Sequence, residues 1–338
     1  MSRILVWLRR AAILLALLAV LAGVAFYILF FRRDTLAAAP PHARVPPTVN
    51  PLKGLAACWI ETGSNFTSFP FAVTAGSILV KHPNGDLLID TGDSSHFDDE
   101  VAGYPFLLRL KLKNLAGSLT PEVALPQLMR LVGGDPDKIR WVVLSHAHLD
   151  HAGGLMDLPR VPVLLSREEL QYANNPAAQA TGFVIPVHTQ RFPSPDAPAL
   201  KFDAKPYETF DESTDLYSDG SVVVVPLRGH TPGSVGVFVN LDLHRRLFYV
   251  GDAVDDERGF ENRVDKPLML RDTDNDPNRA NEIVAKLNQL HKIVPDLAII
   301  PAHGRSAYLK FFPAGVLSCV SSDAPAVLPT PAADVAPK

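Results

Sequence analysis

Three histidines and one carboxylate stand within six positions of the chain, in the pattern HxHxDH from His146 to His151. They follow the apolar run Val142–Leu144, which predicts a buried strand, and strand ends are where open α/β folds present ligands. Imidazoles two positions apart can converge on one cation, while Asp150 and His151, directed the other way, can begin a second site. Zinc accepts both nitrogen and carboxylate oxygen. The pattern therefore predicts a metal centre rather than polar residues of a surface loop.

Three further candidate ligands, His230, Asp252 and His303, each end or follow a later β-rich apolar run. A carboxylate at such a strand end can bridge two cations, and each of these strands delivers one ligand at the same kind of place. We expect all the candidate ligands to meet at one edge of the sheets. They are His146, His148, Asp150, His151, His230, Asp252 and His303.

The elements that must position these ligands alternate between short β-rich runs and helical stretches, as in layered α/β domains. Several runs are apolar throughout, which predicts strands covered by helices. The predicted strands are Ser77–Lys81, Leu87–Asp90, Trp141–Ser145, Val161–Leu165, Val222–Pro226, Val235–Asn240, Leu247–Gly251 and Leu297–Pro301. The predicted helices are Pro121–Val132, Arg167–Ala173 and Pro277–Ile293.

The composition fits this class and excludes one kind of partner. The chain has 338 residues, of which 47% are hydrophobic and 20% charged, so it can bury a sizeable core. Its formal net charge of -4 argues against a basic surface that grips phosphate backbones. No nucleic acid is expected as a partner.

The N-terminal segment predicts a membrane anchor in residues 1–34. Ala11–Phe31 runs 21 residues without a charge, and as a helix it would span about 31 Å, close to the roughly 30 Å of a hydrocarbon core. A cleaved signal peptide is the alternative, favoured by the small residues Ala37–Ala39. Against cleavage, the run exceeds the usual length, and Arg32, Arg33 and Asp34 charge the place where a cleavage region should be neutral.

The basic residues on the two sides of this span predict its orientation. Arg3, Arg9 and Arg10 precede it, whereas Arg32 and Arg33 follow it, so the positive-inside bias keeps the N-terminus in the cytoplasm. The expected location is the inner membrane, with a single span and the catalytic body on the periplasmic side. Secretion after cleavage is the alternative.

Beyond the anchor, composition divides the chain into three parts. Residues 35–53 are rich in proline and predict an extended linker that lifts the body off the membrane. Residues 54–313 form the expected folded domain that holds the candidate ligands, and residues 314–338, rich in Ala and Pro, predict a disordered tail. Cys58 and Cys319 can pair in an exported compartment or remain two unpaired thiols.

The motifs HxHxDH, GHTPGS at 229–234, GDA at 251–253 and PAHG at 301–304 together resemble the metallo-β-lactamase superfamily, from roughly Leu55 to Phe312. The resemblance implies a four-layer αβ/βα sandwich, with two mixed sheets face to face, helices outside and the metals at one edge. It also implies that Asp252 bridges two metals. His146, His148 and His230 would bind the first, and Asp150, His151 and His303 the second.

The implied chemistry is hydrolysis at a carbonyl. Two divalent cations, expected to be zinc, lower the pKa of a shared water toward about 7, which supplies hydroxide without a protein nucleophile. Asp150, at once a ligand and a neighbour of that water, is suited to pass the proton on. Asp90, at an earlier strand end, resembles the family's Asp that orients a ligand histidine; a turn-forming Asp is the alternative.

The substrate is expected to be a small lactone or ester. The segments at 80–92, 131–136 and 251–253 resemble the N-acyl homoserine lactonases, which makes the chain a candidate for quorum quenching. One position departs from that group. The lactonases carry a Tyr three residues after the bridging Asp, whereas this chain has Asp255 there. Tyr249, on the preceding predicted strand, is expected in the core. The alternatives are a periplasmic metallo-β-lactamase and a non-catalytic metal-binding module anchored to the membrane.

Two features are expected to shape the pocket. The segment Asp255–Asp276 is long enough to form a rim above the metals, and its basic residues, among them Lys266 and Arg271, could meet a substrate carboxylate. A solvated charged loop is the alternative. Among the histidines outside the motifs, His188 is the one expected to reach the pocket.

Overall fold

Two mixed β-sheets form the centre of the protein. The structure is a computed structural model, and it describes residues 2–49, 52–65, 73–115, 119–194 and 199–323. The strands in these ranges are β1 (Ala56–Asn65), β2 (Val73–Lys81), β3 (Asp86–Ile89), β4 (Ile139–Val143), β5 (Val163–Leu164), β6 (Thr214–Asp215), β7 (Val222–Pro226), β8 (Val235–Asn240), β9 (Arg246–Gly251), β10 (Ala298–Pro301) and β11 (Ser318–Ser321).

Helices precede, connect and cover these strands. Those in the described ranges are α1 (Ser2–Phe30), α2 (Phe97–Glu100), α3 (Phe106–Leu115), α4 (Leu125–Leu131), α5 (Leu149–Ala152), α6 (Arg167–Ala173), α7 (Pro176–Ala180), α8 (Pro186–Thr189), α9 (Glu257–Asn262), α10 (Leu268–Arg271), α11 (Pro277–Ile293) and α12 (Arg305–Phe311). Helix α11 begins at Pro277 behind the capping side chain of Asp276, as an Asp-Pro start predicts.

The order of the strands sets which chain ends share an edge. The first sheet has the order β11-β1-β2-β3-β4-β5, and the second has the order β10-β9-β8-β7-β6. Strands β3, β4 and β5 run parallel to one another, and so do β9 and β10. The carboxyl ends of each parallel group therefore lie at one edge of their sheet.

The main hydrophobic core fills the space between the two sheets. Trp59 and Ile78 of the first sheet and Val224 and Tyr249 of the second belong to this one buried cluster. A second cluster packs helices α4 and α6 on the outer face of the first sheet, and a third packs α9 and α11 on the outer face of the second. The predicted four-layer αβ/βα sandwich is confirmed.

Helix α1 stands apart from these layers. Leu5–Phe30, 26 residues, is long and apolar enough to cross a membrane, and none of its most apolar window is buried inside the protein. Length and composition alone would allow either a membrane anchor or a signal sequence. Near its end, Phe26, Leu29 and Phe30 are partly covered, whereas Tyr27 and Ile28 are exposed.

The segment after α1 differs from the predicted free linker, because it lies along the domain. Thr35 forms a β-bridge with Val264, and Val45 forms another with Glu208. Val49 is buried. The proline-rich composition predicts extended backbone, but an extended chain also has free N–H and C=O groups that can pair with a neighbouring segment. The segment is therefore extended but packs along the domain at these residues.

The tail predicted at residues 314–338 includes an ordered strand, β11. Strand β11 pairs antiparallel with β1, and Cys58 lies opposite Cys319, to which it is joined by a disulfide. This short edge strand lacks the long apolar run by which strands are recognised. Residues 324–338 of the predicted tail lie outside the described residues.

Candidate metal centre

Strand ends bring the candidate ligands to one place. The HxHxDH pattern starts three residues after β4, Asp252 follows β9 directly, and His303 follows β10 by two residues. Gly251, at φ +52°, is a position where a Cβ would lie 2.8 Å from Ser145 Oγ. Glycine there allows the end of β9 to approach the end of β4.

His146, His148 and His230 form the first cluster. Their ring centroids lie 4.5 Å apart for His146 and His148, 4.7 Å for His146 and His230, and 4.8 Å for His148 and His230. All three are buried, and their nearest ligand nitrogens lie within 4.8 Å of one another. This is the arrangement of three imidazoles around a single cation.

Asp150, His151 and His303 form the second cluster. His303 Nε2 lies 3.4 Å from Asp150 Oδ2, and His151 Nε2 lies 3.9 Å from Asp150 Oδ1. His151 is buried, whereas Asp150 and His303 are partly exposed. The second cluster therefore faces the solvent side of the site.

Asp252 lies between the two clusters and faces both. Its Oδ2 lies 3.4 Å from Nε2 of His230, while its Oδ1 lies 3.3 Å from Nε2 of His151 and of His303. One carboxylate with one oxygen toward each cluster has the geometry of a bridging ligand.

Asp90 fixes the orientation of His151, as the sequence predicts. Its Oδ2 accepts a hydrogen bond from His151 Nδ1 at 2.7 Å and another from the Tyr249 hydroxyl at 2.7 Å. Oδ1 accepts from the backbone N–H of Ser145 at 2.6 Å. Asp90 has a φ of +52°, which is unusual for a residue with a side chain, and these bonds hold it there. Tyr249 is buried, as expected, but it also donates to this carboxylate.

His230 is oriented by a residue that the sequence did not single out. Its Nδ1 lies 2.8 Å from Asp274 Oδ1, and Lys266 Nζ donates to the same oxygen at 2.5 Å. Lys266 is 6% exposed, and its ammonium pairs with this buried carboxylate, which helps to fix the imidazole. It is therefore not available to a substrate. The predicted role of Lys266 at the pocket rim is not what its contacts support.

The other imidazoles are also held from behind. The nitrogen of each that points away from the clusters has a partner: His148 Nε2 with Tyr172 OH at 3.2 Å, His303 Nδ1 with the Thr74 carbonyl at 2.7 Å, and His146 Nδ1 with Ser145 Oγ at 3.1 Å. Such partners select the tautomer whose other nitrogen presents a lone pair to a cation.

Within the part of the chain that the structure describes, three inward atoms make no hydrogen bond. They are His146 Nε2, His151 Nε2 and Asp252 Oδ1, all buried. Buried polar atoms of a folded protein are normally hydrogen-bonded, and leaving three in contact with one another costs free energy. Divalent cations bound between the clusters would satisfy all three, so the residues present fit a metal centre of nitrogen and carboxylate ligands.

Burial sets the protonation of the first cluster. It lowers the pKa of His146 and of His148 well below the ordinary value, and that of His230 below it, and the neighbouring imidazoles and Lys266 add to the effect. Neutral imidazole is the form that binds a metal.

In the second cluster burial is outweighed by charge. Burial lowers the pKa of His151 and of His303, but Asp252 and Asp150 raise the first well above its ordinary value and the second to about 9. Burial raises the pKa of Asp252, whereas His303 and His151 bring it well below the ordinary value. The acidic side chains thus attract positive charge to this position.

Glu169, on α6, joins the two histidine loops. It accepts hydrogen bonds from Ala147 N at 2.8 Å, Thr231 Oγ1 at 2.6 Å and Gly233 N at 3.1 Å. A Cβ at Gly233 would lie 2.2 Å from Glu169 N, so only glycine allows this approach. Glu169 therefore sets the distance between the HxHxDH and GHTPGS loops.

Sequence reasoning missed Tyr172, Glu169 and Asp274. Glu169 lay in the predicted helix Arg167–Ala173, where a fully buried carboxylate looks like any surface residue of a helix. Asp274 stood in the expected rim segment without a motif around it. No local spacing marks these residues, because their partners are far away in sequence.

His188 and Arg271, both expected at the pocket, form ion pairs within the protein. His188 is buried and pairs with Glu100, 2.8 Å from Nε2 to Oε2, so it supports the fold near α2 instead of reaching the site. Arg271 pairs with Asp265 at 2.7 Å and Asp34 at 3.1 Å. The segment Asp255–Asp276 therefore forms a rim whose charges are partly used within the protein.

The chain matches the model of one protein family, described as "Metallo-beta-lactamase superfamily", over residues 74–281. This span is more than half of the chain and includes every candidate ligand except His303.

Three known proteins show the same likeness. An N-acyl homoserine lactonase, AttM of Rhizobium radiobacter, is 31% identical over 179 residues, which cover 52% of this chain and 63% of the lactonase, less than two thirds of its length. A probable metallo-hydrolase of Mycobacterium tuberculosis is 28% identical over 250 residues, covering 71% of this chain and 78% of that one. The solved structure of AiiA from B. thuringiensis, with N-decanoyl-L-homoserine at its active site, has a TM-score of 0.54, 17% identity, and coverage of 77% and 97%.

Proposed function

The chain belongs to the metallo-β-lactamase superfamily, and from this premise we propose that it is a hydrolase of lactones or esters that depends on two divalent cations, zinc being the expected metal. The observation that carries the proposal is that buried atoms of His146, His151 and Asp252 lack hydrogen bonds and lie within 4.8 Å of one another. A merely structural histidine cluster would not leave its inward atoms unsatisfied while fixing its outward ones.

We assign the ligands by cluster. One cation would be held by His146, His148 and His230, and the other by Asp150, His151 and His303, with Asp252 contributing one oxygen to each. When bound, the two cations supply a water that ionises near neutral pH and polarise the substrate carbonyl.

The protein's own part in the reaction is to orient these ligands and to move a proton. The side chains of Asp150 and His303 are 18% and 16% exposed, so Asp150 is a carboxylate of the site that solvent can reach. It is placed to take the proton released by the attacking water and to return it to the leaving oxygen. Asp90 and Asp274 hold His151 and His230 in position while this happens.

A lactone substrate is supported by the likeness to AttM, an N-acyl homoserine lactonase, and makes quorum quenching a candidate role. Asp255 occupies the position three residues after Asp252, where the resemblance implies a Tyr in the lactonases. Its carboxylate accepts two hydrogen bonds from Arg33. Asp255 is therefore not a donor to the substrate carbonyl. Carbonyl polarisation in this protein would rely on the cations.

We propose that α1 anchors the chain in the membrane, with residues 54–313 and strand β11 forming the hydrolase domain on the extracytoplasmic side. The disulfide between Cys58 and Cys319 supports an oxidising compartment. Membrane fractionation checks this location: the full chain should be recovered in the pellet, and a soluble form that begins near Pro40 would show cleavage instead.

Turnover by the purified full chain tests the proposed activity. The protein is stripped with a chelator, reloaded with zinc, and assayed on N-acyl homoserine lactones, an aryl ester and a chromogenic β-lactam. We expect lactone or ester hydrolysis that disappears in His148→Ala and persists in His244→Ala, a histidine outside both clusters. Turnover of the β-lactam alone would favour a metallo-β-lactamase, and a chain that neither binds metal nor turns over any substrate would favour a non-catalytic module.

A further inference from the structure

Five large apolar side chains are exposed on two short helices near the metal centre. On α3, Phe106 is 66% exposed, Leu107 76% and Leu110 46%; on α10, Leu268 is 45% exposed and Met269 47%. Single exposed apolar residues are ordinary on protein surfaces, but a group of them marks an interaction site. These five residues are called the apolar rim below.

One surface ion pair links the two helices of the apolar rim. Lys111 of α3 reaches Asp272, the residue after α10, with 3.8 Å between Nζ and Oδ2. The same Nζ lies 5.0 Å from the centre of the Phe183 ring, and that ring lies 5.3 Å from the ring of His148. Through Lys111 and Phe183, helix α3 of the apolar rim therefore lies close to the first histidine cluster.

Helix α1 is held against this same face. It contacts α10 directly, and the residues that follow it are fixed to the rim segment. Arg33 donates to Asp255 and Asp256, the backbone N–H of Asp34 donates to Asp265 at 2.7 Å, and Thr35 bridges Val264. The five Cα–Cα steps from Phe30 to Thr35 span at most about 18 Å, so the domain cannot move far from the end of α1.

A bilayer that α1 crosses must therefore begin beside α10. The exposed side chains of an amphipathic helix at this level settle at the boundary between headgroups and acyl chains. Helix α3 also carries Arg109, Lys111 and Lys113 and no acidic residue. Lys111 and Lys113 form exposed ion pairs with Asp272 and Asp98, which are weak enough to be exchanged for phospholipid headgroups. The occupant that fits the apolar rim is the lipid surface itself.

We propose that the apolar rim rests in the bilayer crossed by α1, and that the metal centre takes amphiphilic lactones or esters directly from that bilayer. The second half of this statement rests on the proposed hydrolase function, whereas the first half rests on geometry alone. An amphiphile that partitions into the bilayer would reach the side of the protein that holds the first histidine cluster without passing through water.

Fluorescence quenching by lipid tests the contact between the apolar rim and the bilayer. Both native cysteines are in the disulfide, so Leu107→Cys provides a single thiol for an environment-sensitive label. The full chain is reconstituted in phosphatidylcholine vesicles that contain bromine-labelled phosphatidylcholine. The matched control is Leu243→Cys, 61% exposed in the turn between β8 and β9, at the end of these strands away from the metal centre.

We expect quenching of the label at position 107 and none at position 243. Equal quenching at both positions, or none at position 107 while the chain remains in the vesicles, would overturn the proposal. Neither reading depends on metal or on activity.

Chain-length selectivity tests the delivery of substrate. In vesicles, the double variant Leu107→Asn/Leu110→Asn should lower kcat/KM for N-dodecanoyl homoserine lactone roughly tenfold, because two apolar contacts with lipid are lost. Turnover of N-butanoyl homoserine lactone, which stays in water, should be unchanged, and Leu243→Asn should affect neither. An equal loss on both lactones, or none on the long one, would contradict delivery from the bilayer. If the wild type hydrolyses neither lactone, the proposed function and the delivery fail together, and the quenching contrast still decides the docking.

Discussion

Arg33, three residues after α1, forms a two-point ion pair with Asp255, three residues after Asp252. NH1 lies 2.9 Å from Oδ1 and NH2 lies 2.5 Å from Oδ2, and the two side chains are only 8% and 13% exposed. Asp256 accepts a third bond at 2.9 Å. The loop that begins at Asp252 is thus tied to the end of helix α1.

Arg33→Ala should destabilise the domain and loosen this loop. Removing the guanidinium leaves two partly buried carboxylates side by side, and breaking a buried ion pair costs up to about 3–5 kcal/mol. Arg32→Ala is the matched control, since the Arg32 side chain is 57% exposed and its pairing with Asp34 is on the surface. Thermal unfolding of the full chain in detergent measures both variants. Equal melting temperatures for Arg33→Ala and Arg32→Ala would show that the Arg33 ion pair does not stabilise the domain.

Asp90→Asn should weaken the second metal position. The amide cannot accept from His151, Tyr249 and Ser145 together as the carboxylate does, so His151 loses its fixed tautomer. Loss of such a partner lowers metal affinity about 10–100-fold, which competition with a chromogenic chelator measures. Asp98→Asn, at a carboxylate 76% exposed beside α3, should leave the affinity unchanged. Wild-type affinity in Asp90→Asn would exclude the orienting role.

Glu169 should make stability depend on pH. Burial raises its pKa from 4.5 to about 7 in the folded protein. The folded state therefore keeps a proton that the unfolded state loses, so the contribution of Glu169 to the free energy of unfolding is full below pH 4.5 and falls as the pH rises toward about 7.

Glu169→Gln keeps the shape of the side chain and cannot titrate. The melting temperature of metal-depleted wild type minus that of the variant should therefore decrease as the pH is raised through this window. A difference that stays constant with pH would show that Glu169 is ionised throughout.

The disulfide should stabilise the first sheet through the unfolded state. It closes a loop of 261 residues between β1 and β11, and such crosslinks contribute typically about 2–4 kcal/mol. Cys58→Ser/Cys319→Ser should lower the free energy of unfolding in denaturant by this amount. Reduced wild type should behave as the double variant does. If reduction has no effect on unfolding, the crosslink is absent from the protein in solution.

Sequence was sufficient where the signal is local. Strands β7 and β8 and helices α6 and α11 have the predicted bounds, because apolar runs and capping residues act over a few positions. The seven candidate ligands come together for a related reason: each ends or follows a strand, and parallel strands present their carboxyl ends at one edge.

Contacts between distant segments could not be predicted in this way. Glu169 and Asp274 carry no motif, and what distinguishes them is their burial against loops far away in sequence. The segment after α1 has the composition of a free linker, and only the fold shows that Val264 and Glu208 pair with it. Composition determines that such a segment is extended, and the surface it meets determines where it lies.

The number of metal ions at which turnover reaches its plateau tests the central claim most directly. Metal-depleted full chain in detergent is titrated with Zn²⁺ while bound metal and lactone hydrolysis are measured on the same sample. With Asp252 bridging two clusters, turnover should rise to a plateau at about two ions per chain, and Asp252→Asn should reach no comparable turnover. A plateau at one ion, or full turnover without metal, would contradict the two-metal hydrolase.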